Sequence, residues 1–243
     1  MKLDNLKDWM INMGQGIFVI GTNTDIGKTF VSGAITYKLK KHNKNVITYK
    51  PIQSGCIEEN IKIIPPDIKY IRDICDLDID YNTMNTYCLK TEVSPHLACN
   101  IENVYINKEN IKNHYNKLLK TYDYVVVEGA GGIVVPITND YFIYDLIKDL
   151  NMDVVIVASA SVGTINHSVL TYEFLKSKNI KCRGIFINNY NNQFYEDDNI
   201  KMIEKITNLK VLGILNKIKE FNKESICKEY DKLNLENILS LFE

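Results

Sequence analysis

Residues 16–29 read GIFVIGTNTDIGKT. The apolar run Ile17 to Ile20 has the composition of a buried strand, and it breaks at Gly21 into a polar loop ending in Gly27, Lys28 and Thr29. Beyond the loop, Val31, Ile35 and Leu39 recur every four residues as far as His42, which predicts a helix. A strand that aims a glycine-bearing loop at a helix start is the setting of a phosphate-binding loop, because the first helical N–H groups have no partners and face an anion. In such a loop Lys28 reaches the β and γ phosphates of a nucleoside triphosphate and the Thr29 hydroxyl sits on Mg²⁺. The spacing is a variant of the common pattern: Thr22 stands where the leading glycine is usual, and Gly21 lies one residue further back.

Outward from that stretch, the same alternation repeats. Residues 45–50 (NVITYK) read as a strand, followed by a loop through Ser54 and Gly55 and a helix start at Pro65, Pro66 and Asp67. Further strands are expected at 124–128, 154–158 and 184–188, alternating with helices at 141–150, 166–176 and 199–207. Val- and Ile-rich strands without polar alternation are buried on both faces, so the fold class is α/β: a single P-loop NTPase-like domain, a mainly parallel sheet with helices on both faces. Ligands of such sheets bind beyond the carboxyl ends of the strands. The domain is expected over 16–243, with 1–15 as an N-terminal extension in which Leu3, Leu6, Met10 and Met13 would share one side of a short helix.

A chain of 243 residues with a formal net charge of −1 offers no basic field for nucleic acid or an anionic membrane. The arginines are Arg72 and Arg183 alone, so charge on a transferring phosphoryl group must be met by lysines, metal and backbone. Cys56, Cys75, Cys88, Cys99, Cys182 and Cys227 form no Cys-x-x-Cys pair, which favours free thiols over a disulfide frame or a zinc site. No apolar run is long enough to span a membrane, and acids are mixed through the first residues; a cytoplasmic location is expected.

Residues 122–132 (YDYVVVEGAGG) carry the second signal. Their strand delivers Glu128 to its end, where an acid can hold Mg²⁺ directly or through water, and Gly129, Ala130, Gly131 and Gly132 let backbone approach phosphate. Residues 49–55 (YKPIQSG) put Lys50 at a strand's carboxyl end ahead of the Ser54-Gly55 turn. Asp67 after two prolines is either a helix cap or a site acid. Residues 91–98 (TEVSPHLA) and 161–169 (SVGTINHSV) add a Pro95-His96 turn and a second helix start at Gly163-Thr164, where free N–H groups suit a carboxylate or phosphate.

GTNTDIGKT, YKPIQSG, TEVSPHLA, VEGAGG, VGTINH and the strand ending in Asn188-Asn189 together resemble the dethiobiotin synthetase family, from about Ile17 to Gly213 and in the family's order. The resemblance implies a homodimeric ligase that uses ATP, Mg²⁺ and CO₂ to close the ureido ring of 7,8-diaminopelargonic acid. It makes Thr24 and the backbone of Asp25, Ile26, Gly27, Lys28 and Thr29 the phosphate cradle, and Thr29, Asp67 and Glu128 the Mg²⁺ group. Lys28 and Lys50 become the catalytic cations and Ser54 a substrate contact, while Gly129, Ala130 and Gly131 close around phosphate and, at Gly131, around substrate. Asn188 and Asn189 would read the adenine edge. Gly163, Thr164, Ile165 and Asn166 would hold the substrate's distant carboxylate across the dimer, giving shared active sites.

Three departures stand out against the family pattern. Asp25 replaces a common Glu, Ser161 a lysine found in some members, and Leu215-Asn216 an expected Ile-Pro turn, which bears on the adenine contacts around Asn216 to Ile218. Two other classes share parts of the pattern. A partitioning or regulatory ATPase, acting as a nucleotide-gated interaction module, usually carries an extra lysine early in its loop, and 22–26 hold none; its basic amphipathic tail also has no match in the acid-bearing YDKLNLENILSLFE. An amide-forming synthase of cobalamin-type metabolism would need a glutaminase domain for which no length remains.

Overall fold

The computed structural model describes residues 13–243; of the expected N-terminal helix, Leu3, Leu6 and Met10 lie outside this range, while Met13 is in a bend and Gln15 already belongs to the first strand. The first half of the chain runs β1 (Gln15–Gly21), α1 (Lys28–Lys41), β2 (Val46–Gln53), the short strands β3 (Ile57–Glu59) and β4 (Lys62–Ile64), α2 (Pro66–Ile74), α3 (Tyr81–Met84), β5 (Asn85–Cys88), α4 (Pro95–Glu102) and α5 (Lys108–Leu119). The second half runs β6 (Tyr124–Gly132), α6 (Ile143–Asp149), β7 (Asp153–Ser159), α7 (Thr164–Ser177), β8 (Cys182–Tyr190), α8 (Glu196–Thr207), β9 (Val211–Asn216), α9 (Lys223–Asp231) and α10 (Leu235–Leu239).

Seven strands form one sheet in the order β5-β2-β6-β1-β7-β8-β9, and each neighbouring pair is parallel. Val125 to Val127 and Val154 to Ala158 are fully buried although successive side chains point to opposite faces, so the centre of the sheet is covered on both sides. The chain goes outward from β1 to β2 and β5, returns to β6, then crosses β1 to β7, β8 and β9. The loop after β1 therefore opens where the direction of travel reverses, the place where α/β sheets leave a crevice.

Register sets the level of each strand end. Tyr49 pairs with Val127 and the β2-β6 ladder stops there, which leaves Lys50 and Glu128 side by side at the next position. Pro51 follows, a residue with no N–H to give, so the ladder has no donor there. β2 instead continues against β5, pairing Lys50 with Asn85 and Gln53 with Cys88.

That second pairing corrects the expectation of free thiols throughout. Cys56 and Cys88 form a disulfide across a sequence separation of 32, with Cα atoms 5.9 Å apart. The local spacing gives no hint of it because the two residues meet through neighbouring strands: Cys56 donates its N–H to the Leu89 carbonyl at 2.9 Å just beyond the Gln53-Cys88 pair. Cys75, Cys99, Cys182 and Cys227 remain free. Closing a loop of this length stabilises by about 3 to 4 kcal/mol in chain-entropy accounting. Protein unfolded without reductant should therefore present four reactive thiols and reduced protein six, with a lower thermal midpoint after reduction. Six thiols before reduction would contradict the pairing.

Candidate active site

The loop after β1 is held open by backbone bonds. Thr22 N–H donates to the Val157 carbonyl at 3.0 Å, tying the loop to β7, and Thr24 N–H is taken by the Asn23 side chain at 2.8 Å. Asp25 and Gly27 adopt left-handed backbone at φ 57 and 92. Glycine is required at the second: a Cβ there would lie 1.9 Å from Asn188 Nδ2, which donates to the Ile26 carbonyl at 3.0 Å. Gly27 is the N-cap of α1 and supplies no side-chain acceptor. The first N–H groups of a fourteen-residue helix thus point at the cleft with their dipole uncompensated, which suits a polyanion.

Four side chains converge beside that helix start. Lys50 Nζ lies 2.6 Å from Glu128 Oε1 and 2.6 Å from Asp67 Oδ2, and the Thr29 hydroxyl donates to the same Glu128 oxygen at 2.9 Å. Asp67 is not a helix cap, since α2 is capped by Pro65 with no side-chain bond; the carboxylate is turned to Lys50 instead. Burial alone would lower the Lys50 pKa, yet Glu128 and Asp67 override it and raise the ammonium above the ordinary lysine range. Burial likewise pushes Asp67 up, and Lys50 more than reverses this, holding it below the usual carboxylate value. Lys28 is treated oppositely: burial, then the neighbouring Lys50 charge, bring it down to about 8. Its Nζ donates to the Asn23 carbonyl at 3.2 Å, bent back over the loop.

The acids also fit a hard cation. Glu128 is 1 % exposed and its Oε2 has no hydrogen-bond partner, an orphaned buried anionic oxygen of the kind a metal or its water satisfies. Thr29 and Asp67 supply further oxygens within the same cluster. Among the described residues no group of three or more His, Cys, Asp or Glu side chains could hold a metal. The donor set is thus two carboxylates and a hydroxyl, which suits Mg²⁺ completed by phosphate and water better than an all-protein metal cage.

A cleft of about 710 Å³ runs from the loop over this cluster. Its lining includes Thr24, Asp25, Gly27, Lys28 and Thr29 of the loop and helix start, Lys50, Ser54 and Asp67, and Glu128, Ala130 and Gly131 of β6. Ile26 and Gly129 fall just outside the lining. Asn188 is buried under the loop, while Asn189 is exposed with φ 57. Gly163, Thr164, Ile165 and Asn166 open α7 without a side-chain cap and outside the cleft of their own chain. Ser161 bonds Ser159 at 2.6 Å, and Asn216 is bound to Glu229 at 2.7 and 2.8 Å, so both departures from the family pattern are occupied in local structure. Sequence reasoning passed over Gln53, Glu92 and Val93, which also line the cleft. Gln53 lay inside a quoted motif, and its place at the end of a fully buried strand was the signal that could have singled it out.

Comparison with known proteins gives a consistent result. Residues 15–225 match a family model described as an AAA domain. The chain is 42 % identical over 232 residues to an ATP-dependent dethiobiotin synthetase BioD of Clostridium novyi, covering 93 % of this chain and 98 % of that protein. It is 46 % identical over 216 residues to the protein of the same name from Fusobacterium nucleatum, covering 88 % and 96 %. Among solved structures, a ParA family ATPase from Chlorobium tepidum superposes with a TM-score of 0.58 at 14 % identity, covering 94 % of this chain and 97 % of that one. MinD of Aquifex aeolicus gives 0.57 at 13 %, covering 94 % and 95 %. At those identities the two structures share the fold alone.

The Lys28 environment has a pH consequence. With a free-state pKa of about 8, Lys28 is charged below that pH and loses its proton above it. A triphosphate beside it favours the cation, so affinity for the nucleotide should fall as pH rises through about 8, and binding near pH 8.5 should take up roughly three quarters of a proton. Calorimetry in two buffers of different ionisation enthalpy measures this uptake. Lys28→Met should abolish it; the same uptake in that variant would assign the proton elsewhere.

Proposed function

The chain belongs to the dethiobiotin synthetase family, and from that membership we propose that its cleft closes the ureido ring of dethiobiotin from 7,8-diaminopelargonic acid and CO₂ at the expense of ATP, in biotin biosynthesis. The protein is an ATP-dependent ligase that forms carbon–nitrogen bonds. The observation that carries the site reading is the Lys50-Glu128-Asp67 cluster set against the uncapped start of α1.

One substrate amine adds to CO₂ to give a carbamate. Its oxygen attacks the γ-phosphorus, forming a carbamic-phosphoric anhydride and releasing ADP. The second amine then attacks the carbonyl carbon, and phosphate leaves. The difficulty lies in the middle step, where an anion must approach a polyanion: two unit charges about 4 Å apart repel by roughly 4 kcal/mol at an effective dielectric near 20. Lys50, held cationic by two carboxylates, and Lys28, recharged by the triphosphate, offset that repulsion and stabilise charge on the moving phosphoryl group. The uncapped N–H groups of α1, Thr24 and the loop backbone from Asp25 to Thr29 hold the phosphates, and Ser54 and Gly131 bound the substrate end. Thr29, Asp67 and Glu128 would hold Mg²⁺, which neutralises phosphate charge when bound. Asn188 and Asn189 would meet the adenine.

The substrate's carboxylate lies a long aliphatic chain away from its amines, and the helix start at Gly163 to Asn166 suits a carboxylate while lying outside the cleft of its own chain. A homodimer in which this segment completes the partner's cleft joins the two observations.

ATP hydrolysis should require both diaminopelargonate and bicarbonate; turnover indifferent to either would reject the ligase reading. Lys50→Gln keeps a donor for Glu128 but removes the charge. It should lower kcat by about 10² or more while changing ATP binding little, and a normal kcat with only a raised ATP requirement would contradict a role in the transition state.

For the shared site, a Lys28→Ala chain mixed with a Thr164→Pro chain should regain activity in heterodimers, each of which contains one cleft with intact parts from both chains. Verified heterodimers no more active than either parent would confine the site to one subunit.

A further inference from the structure

Gln53 is the last residue of β2 and is 4 % exposed, yet it lines the cleft. Its amide lies near enough to the Asp67 carboxylate to help hold that acid low, and because a carboxylate has no use for an acceptor, the nitrogen end is the one turned toward it. The other end of the amide is left over: Oε1 is buried and has no hydrogen-bond partner. The neighbouring Ser54 Oγ is buried and unpartnered as well, so the two do not serve one another. A buried carbonyl oxygen without a donor costs about 1 to 3 kcal/mol, and such a group beside a ligand cleft points to a donor that arrives with the ligand.

The identity of that donor follows from what the cleft receives. Phosphate oxygens, CO₂ and a carbamate oxygen are acceptors. Lys50 is engaged by Glu128 and Asp67, and Lys28 by the Asn23 carbonyl. The donors that arrive are the N–H groups of the diamine's two amines, the amino group and ribose hydroxyls of ATP, and water; of these the amines are the ones the reaction must bring beside Lys50.

We propose that Gln53 Oε1 accepts a hydrogen bond from one amine of the diamine substrate, making Gln53 a substrate-recognition residue that also ties the diamine to the Asp67 side of the charge cluster. This rests on the ligase reading above and deepens it. The amide works as a two-ended link: its N–H₂ reads the acid, its oxygen reads the amine, and the amine is thereby fixed beside Lys50. An oxygen acceptor cannot serve a carbonyl or ether oxygen put in place of that amine, so Gln53 selects for a hydrogen-bond donor at one of the two carbons.

Gln53→Met, close in length and without polar atoms, removes both ends of the link. The KM for the diamine should rise roughly tenfold, the value of one buried hydrogen bond, with the KM for ATP within twofold of wild type. Calorimetric binding of the two monoamino analogues, each lacking one amine, identifies the contact: the variant's loss should persist for one analogue and vanish for the other. A diamine KM unchanged in Gln53→Met, or a loss that persists for both analogues, overturns the proposal. A raised Mg²⁺ requirement with diamine binding unchanged also overturns it, since Gln53 would then serve Asp67 alone. If Gln53→Met does not fold, Gln53→Asn withdraws the same oxygen by one methylene and is read by the same criteria. Wild-type enzyme that makes no dethiobiotin would instead reject the functional reading, and the two failures are told apart before any variant is made.

Discussion

Lys50 is a nearly buried cation in contact with two carboxylates from different parts of the fold, one midway along β6 and one in the first turn of α2. Removing three charges from water is costly, and their attraction returns that cost only when the geometry is close to ideal. The requirement reaches far into the molecule. It needs β2 and β6 in a register that brings Lys50 level with Glu128, a ladder that ends one pair earlier, and a helix whose start turns Asp67 inward. Thr29 joins from the helix behind the phosphate loop, so the same Glu128 oxygen ties the nucleotide side of the cleft to the lysine side.

The rest of the cleft wall stands on β2's other neighbour, β5, which itself contributes no lining residue. Beyond Lys50, β2 pairs with β5, the Gly55 N–H bonds the Thr91 carbonyl at 3.3 Å, and the Cys56-Cys88 link sits within this stretch. Gly55, at φ 71, leaves room for the Glu92 side chain, whose Cγ would stand 3.1 Å from a Cβ there. One strand therefore divides its partners: its first half pairs with β6 and its second half with β5. The boundary between the two is Pro51, which cannot donate to a ladder.

Much of this was legible in the chain because strand ends and glycine loops announce themselves locally. β1, the loop to Thr29, α1, Lys50 and Glu128 all lay within short blocks of consistent pattern. Elements read less well for identifiable reasons. α5 carries Ile111, Tyr115 and Leu118 at helical spacing behind an Asn107 cap, signals that were present but diluted by a mostly polar run. β5 and β9 are short, at four and six residues, and owe their strand form to the neighbours they pair with rather than to composition. The disulfide and the turn of Asp67 toward Lys50 are consequences of strand order, which no local pattern encodes. Gln53 is of the same kind: its burial and its unpartnered oxygen exist only once β2 has been placed between β5 and β6.

The bond from Asn188 to the Ile26 carbonyl joins the phosphate loop to a strand two places away in the sheet. The loop's left-handed residues and the amide wedged against Gly27 leave it little conformational freedom. Its shape is thus settled when the sheet forms, and the entropy of ordering it is spent at folding rather than at each arrival of a nucleotide. A ligase that must let go of ADP on every cycle gains from such bracing in an unexpected way: the bonds from Asn188 and Val157 hold the loop without help from a nucleotide, so the next ATP meets a cradle already made.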